Sequence, residues 1–106
     1  MTKNTSDSFK DFVEDQLSDL EGLAFKSMFG GWGIYAGEQF FGIIFKDGLY
    51  FKTNEDTRGQ YKKFGMKPFR PSAKQRLKNY FEVPADILED SQKLKTWALE
   101  SAELSF

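Results

Sequence analysis

Ser27-Met28-Phe29-Gly30-Gly31-Trp32-Gly33-Ile34-Tyr35-Ala36-Gly37-Glu38-Gln39-Phe40-Phe41-Gly42-Ile43-Ile44-Phe45-Lys46-Asp47-Gly48-Leu49-Tyr50-Phe51 is the stretch that decides the fold. Short apolar and aromatic runs are separated in it by glycine-containing dipeptides, the pattern of strands joined by tight turns. Asp47-Gly48 between two such runs is the strongest hairpin signal in the chain. The reading is an antiparallel meander, with strands over about 32–36, 39–46 and 49–53 and turns at Gly37-Glu38 and Asp47-Gly48. Leu23 to Met28 alternates poorly and is expected as a first strand or an extended lead-in. Phe40 to Phe45 is apolar at nearly every position, which predicts a strand covered on both faces. Helices are expected on one face, and a further helix or a second copy of the chain on the other.

Outward from this stretch the period changes. Phe9, Phe12, Val13, Leu17 and Leu20 repeat at helical spacing over 6–20, with Ser6 or Asp7 as cap and Glu21-Gly22 as the stop. Thr53-Asn54-Glu55-Asp56 opens a second helix that runs to about Phe64 and stops at Gly65, with Tyr61 and Phe64 facing the sheet. Pro68 and Pro71 then force an extended connection, and 72–77 is expected as a helical turn or loop. Leu77 to Val83 alternates as a last strand. Ala85 to Glu89 reads as a turn of helix, and Asp90 or Ser91 caps a final helix striped by Leu94, Trp97, Ala98, Ser101 and Leu104. The expectation is one α+β domain over 1–106: an antiparallel meander of about four to five strands, with N-terminal, middle and C-terminal helices packed against it.

The residues that are missing narrow the chemistry. With 106 residues, no cysteine and no histidine, the chain has no thiolate nucleophile and lacks the commonest general base and metal ligand. The formal net charge of −1 gives no overall cationic field, so an anionic partner must be met locally. No signal peptide or membrane span can be built from the sequence, and a cytoplasmic protein without a membrane partner is expected.

Three patterns are candidate sites. Gly31-Trp32-Gly33-Ile34-Tyr35-Ala36 fits G-x-G-x-x-A, but a strand and hairpin follow it where a dinucleotide loop needs a helix. The glycines are better read as a bend, a bulge or a place where a neighbouring backbone or ring comes close. Arg58, Lys62, Lys63, Lys67, Arg70, Lys74, Arg76 and Lys78 follow one another with no acidic residue between, interleaved with Tyr61, Phe64, Phe69 and Tyr80. Such a mixture contacts phosphates and stacks on bases. The plainer reading is a solubilised loop over core aromatics, and an acidic protein surface is a third. Asp86, Glu89 and Asp90 are spaced to meet a hard cation, although carboxylates at a helix start are more often caps. No cofactor, metal or catalytic residue is expected.

Taken jointly, Met28 to Tyr35, Phe41-Gly42-Ile43, Leu49 to Lys52, Pro68-Phe69, and Tyr80 to Asp90 followed by Trp97-Ala98 resemble the N-terminal domain of the TfoX/Sxy family of competence regulators. The resemblance implies the α+β domain just described and a non-enzymatic role in transcriptional regulation. It also implies a stand-alone domain, because Phe106 leaves no room for the C-terminal domain of full-length members. It offers no catalytic or ligand residues. The expected partner is a protein, either a transcriptional regulator or a second copy, meeting Phe29, Gly30, Gly31, Trp32, Gly33 and Tyr35. The alternative is direct nucleic-acid binding through Arg58 to Lys78.

Overall fold

The computed structural model describes residues 5–28, 30–46, 48–69 and 77–103. In chain order these form α1 (Thr5–Gln16), β1 (Leu23–Met28), β2 (Gly31–Ala36), β3 (Gln39–Phe45), β4 (Gly48–Lys52), α2 (Glu55–Lys63), β5 (Pro68–Phe69), β6 (Leu77–Glu82), α3 (Ala85–Leu88) and α4 (Ser91–Glu103). The strands make one antiparallel sheet in the order β1-β2-β3-β4-β6-β5. The meander and the last strand are as expected. Pro68–Phe69, read as a connection, is extended and adds a short sixth strand at the far edge.

The hairpin between β3 and β4 is shifted by one residue from the expected Asp47-Gly48 turn. Phe45 pairs with Gly48, so β4 begins at the glycine expected in the turn. Lys46 takes a left-handed φ of 47°, which a two-residue hairpin of the favoured twist requires. Asp47 lies outside the described residues. Gly48 belongs to the strand because the Tyr50 ring presses on it, and a Cβ there would stand 2.9 Å from the phenol oxygen.

α1 also departs from expectation. Ser6 and Asp7 lie within it rather than capping it, and it ends at Gln16 rather than at Gly22. The chain then tightens into three-residue turns, Ser18 N–H donating to Asp15 and Leu20 N–H to Leu17, and these carry Leu17 and Leu20 into the core. The Gln16 side chain donates to the Leu88 carbonyl at 2.7 Å and ties this end to α3.

Side-chain caps explain the starts of α2 and α4. Asn54 Oδ1 accepts from the Asp56 and Thr57 amides, and Thr57 Oγ1 accepts from the Asn54 amide, a reciprocal capping box. Asp90 Oδ1 accepts from the Gln92 and Lys93 amides at the start of α4. Gly65, at φ 75°, follows the end of α2 as expected.

All four helices lie on one side of the sheet. Their core holds Val13, Leu17 and Leu20 from the α1 end, Tyr61 from α2, Ile87 from α3, and Leu94, Ala98 and Ala102 from α4. These meet Ile34, Phe41, Ile44, Leu49, Phe51, Phe81 and Val83 of the sheet region. Phe64 does not join them, contrary to expectation. Tyr61 points inward, Phe64 is 47% exposed, and its ring meets only the edge of Trp97 at 6.1 Å among the described aromatic pairs.

A bulge sets the phase of the doubly apolar strand. Ile34 pairs with Gly42 and Tyr35 with Phe40, leaving Phe41 as an extra residue. Phe41 and Gly42 therefore share the helix side, where a Cβ on Gly42 would lie 3.2 Å from both Ile34 and Phe51. Phe40, Ile43 and Phe45 consequently turn to the other face, where they join Tyr50, Phe69 and Tyr80 in a second cluster. The second cover expected for this strand is thus made by its neighbours' rings. Among the described residues no helix packs there.

Candidate functional site

The residues expected to form one interaction face around β2 are divided by strand alternation. Trp32 points to the helix side, half-buried against the main core, with the Lys10 ammonium of α1 4.8 Å from its ring. Lys10 also pairs with Glu14 at 3.2 Å, so α1 covers the indole with a fixed cation. Tyr35 points to the opposite, outer face and packs on Phe40 with ring centroids 5.2 Å apart. Phe29 lies outside the described residues, and Gly30 is an exposed turn residue.

Gly31 and Gly33 are buried, and each admits a close neighbour. A Cβ on Gly31 would collide with the Ile44 carbonyl oxygen of the adjacent strand. A Cβ on Gly33 would stand 2.8 Å from Met28 Cε and 3.1 Å from the Phe40 ring. The G-x-G spacing thus serves the approach of strand to strand and of ring to backbone. It is followed by β3, so no helix N-terminus is available at these glycines to receive a pyrophosphate.

Of the basic series the structure describes the side chains of four members, Arg58, Lys62, Lys63 and Lys67. Arg58 is held in place: its guanidinium donates to Asn79 Oδ1 at 3.0 Å and to Thr53 Oγ1 at 3.4 Å, and lies 5.9 Å from the Phe81 ring centroid. Lys62 and Lys63 are exposed on α2, and Lys67 is exposed just before β5. Arg70, Lys74 and Arg76 lie outside the described residues, as does the Lys78 side chain. Of the three carboxylates considered for a cation, Asp90 caps α4, while Asp86 and Glu89 are exposed. No group of three metal-ligating side chains converges among the described residues.

Sequence patterning did not single out the outer face of the sheet, because its residues come from five strands. Tyr35 of β2 touches Phe40 of β3, which touches Tyr80 of β6 at 5.7 Å. Phe69 of β5 touches both Phe45 of β3, at 5.5 Å, and Tyr50 of β4, at 4.5 Å. Ile43 lies beneath these rings and is 1% exposed, whereas Tyr35, Phe40, Phe45 and Tyr50 each keep part of their surface in solvent. Lys26 sits 4.8 Å from the Tyr35 ring and Lys46 5.4 Å from the Phe45 ring. Lys52 shares the face through its register with Tyr80, and Glu82 through its register with Tyr50.

Burial raises the phenols. Tyr80 is pushed up to about 12, chiefly by loss of solvent and further by the neighbouring Tyr35. Tyr50 is raised by burial and then by the Glu82 carboxylate. On the helix side Tyr61 is raised further by burial, with its Ser101 hydrogen bond opposing and Glu100 adding to the rise. All three are therefore neutral phenols near pH 7. A shallow polar groove between α1 and α4 is lined by Gln16, Asp19, Gln92, Lys95, Thr96 and Leu99. Its Thr96 hydroxyl donates back to the Gln92 carbonyl.

No helix of the described residues is long and apolar enough to cross a membrane. No curated protein matches this chain. The family model of the TfoX N-terminal domain matches residues 15–104, which takes in every described strand, α2, α3 and α4, and only the last two residues of α1. The chain belongs to the TfoX N-terminal domain family.

Proposed function

We propose that this domain is a non-enzymatic regulatory module that acts by holding a partner, within the competence-regulating role associated with its family. The observation that carries this reading is the outer sheet face, where partly exposed aromatic rings sit beside lysines. Rings of this kind supply contact area at low entropic cost and anchor interfaces. The chain has neither cysteine nor histidine, so it lacks a thiolate nucleophile and the commonest general base. The proposed location is the cytoplasm, where such a regulator meets its targets. The test is to delete the gene in its native host and measure transcripts of the DNA-uptake genes. The expected result is a several-fold change, restored by the wild-type chain and not by a folded Tyr35→Ala, Tyr50→Ala variant. Transcripts indifferent to the deletion would overturn the reading.

A further inference from the structure

The outer face combines two features that select one class of partner. Its rings are arranged across neighbouring strands, Tyr35–Phe40–Tyr80 on one side and Phe45–Phe69–Tyr50 on the other, with Ile43 buried between. Among the described residues its strand and hairpin side chains include Lys26, Lys46 and Lys52, with the carboxylate Glu82. Exposed carboxylates Glu14, Asp15 and Asp19 lie on and after α1, on the other side of the sheet. Three lysines thus stand beside the exposed rings in a protein of formal net charge −1.

From this we propose that the outer face binds single-stranded nucleic acid, with bases stacking on Tyr35, Phe40 and Tyr50 and phosphates meeting Lys26, Lys46 and Lys52. This deepens the regulatory-module reading and rests on it. Antiparallel sheets with surface aromatics hold two or three unstacked bases in this way, because every base has a face that can stack on a ring. A duplex hides those faces, so it is excluded. A second copy docked face to face would bring together three lysines from each copy, which like-charge repulsion disfavours. The ammonium groups now resting over Tyr35 and Phe45 are on flexible four-carbon stems and can swing to a phosphate as a base takes their place.

The test is fluorescence anisotropy with labelled oligothymidylate and oligouridylate of about a dozen nucleotides, beside a duplex of the same length, over a range of salt. Single strands are expected to bind and the duplex to bind far less. The logarithm of the affinity should fall with that of salt at a slope of about −2, from roughly 0.7 per phosphate at three lysines. Tyr35→Ala and Tyr50→Ala should each weaken binding by roughly 5- to 100-fold, the loss of one stacked base, while Tyr35→Phe and Tyr50→Phe retain it. Circular dichroism establishes that each variant is folded.

No binding of either oligonucleotide at low salt overturns the proposal. So does binding that survives both alanine variants but is lost in Lys62→Gln, Lys63→Gln, which would place the site on α2. A dimer in light scattering that Tyr35→Ala dissociates would assign the face to a second copy instead. If oligonucleotides fail to bind while the same alanine variants still fail to restore transcripts, the regulatory reading stands and only the ligand is wrong.

Discussion

The two faces of the sheet are built from the same strands and differ in what completes them. The inner face buries Phe41, Ile44, Leu49 and Phe51 to zero exposure beneath α1 and α4. Among the described residues of the outer face, Ile43 and Phe69 reach comparable burial, and do so beneath rings that remain partly in solvent. Alternation makes every strand contribute to both faces, so helix placement determines which aromatic residues stabilise the fold and which remain available to a partner. The inner face is a core, and the outer face is a surface with core-like residues.

The largest effect that separates them is truncation of a fully buried inner ring. Phe51→Ala should cost about 3–5 kcal/mol in urea denaturation, because Phe41 and the helices above it cannot collapse fully into the space. A cost near that of an outer substitution would break the distinction. Gly31→Ala comes next, at about 1–3 kcal/mol, since its Cβ meets the rigid backbone of β3 rather than a side chain that can turn away. A neutral result would mean that β2 and β3 separate more easily than their register implies.

Alkaline titration sharpens the comparison through the phenols. Tyr61, Tyr80 and Tyr50 all have folded values raised above the ordinary 10.0. Their neutral forms therefore stabilise the fold fully below about pH 10, and that contribution is lost as the pH climbs through the raised values. Denaturation curves should be level from neutrality to about pH 9 with respect to these groups and decline above pH 10. In near-ultraviolet absorbance the inner Tyr61 should ionise last, after Tyr80 near 12. Tyr61→Phe should flatten the decline more than Tyr80→Phe does. The smallest effect is Tyr35→Ala, expected to cost about 1 kcal/mol of stability, in keeping with one ring contact at a partly wet site.

The meander, the caps of α2 and α4 and most of the helix stripes, Phe12 and Phe64 excepted, were legible in the sequence because each depends on neighbours a few residues away. Asn54 with Thr57, Asp90 with the amides of 92 and 93, and the alternation of β4 are signals of that kind. The hairpin position was missed by one residue because it depends on which residue pairs with Gly48, and Gly48 is glycine for the sake of the Tyr50 ring. The bulge at Phe41 was hidden for a similar reason: a run of apolar residues has no visible phase. The outer face was least legible. Tyr80 and Phe69 are distant in sequence from Phe40 and Phe45, and only the strand order places their rings together. The basic series drew attention because it is contiguous, yet its Arg58 is occupied by Asn79 and Thr53.

The division of labour between the faces is tested most directly by amide chemical-shift mapping with oligothymidylate. Titrated into the isotopically labelled protein, it should shift Lys26, Tyr35, Phe40, Tyr50 and Tyr80 while leaving α1, α3 and α4 in place. Shifts confined to α2 around Lys62 and Lys63, or none at all, would contradict the account.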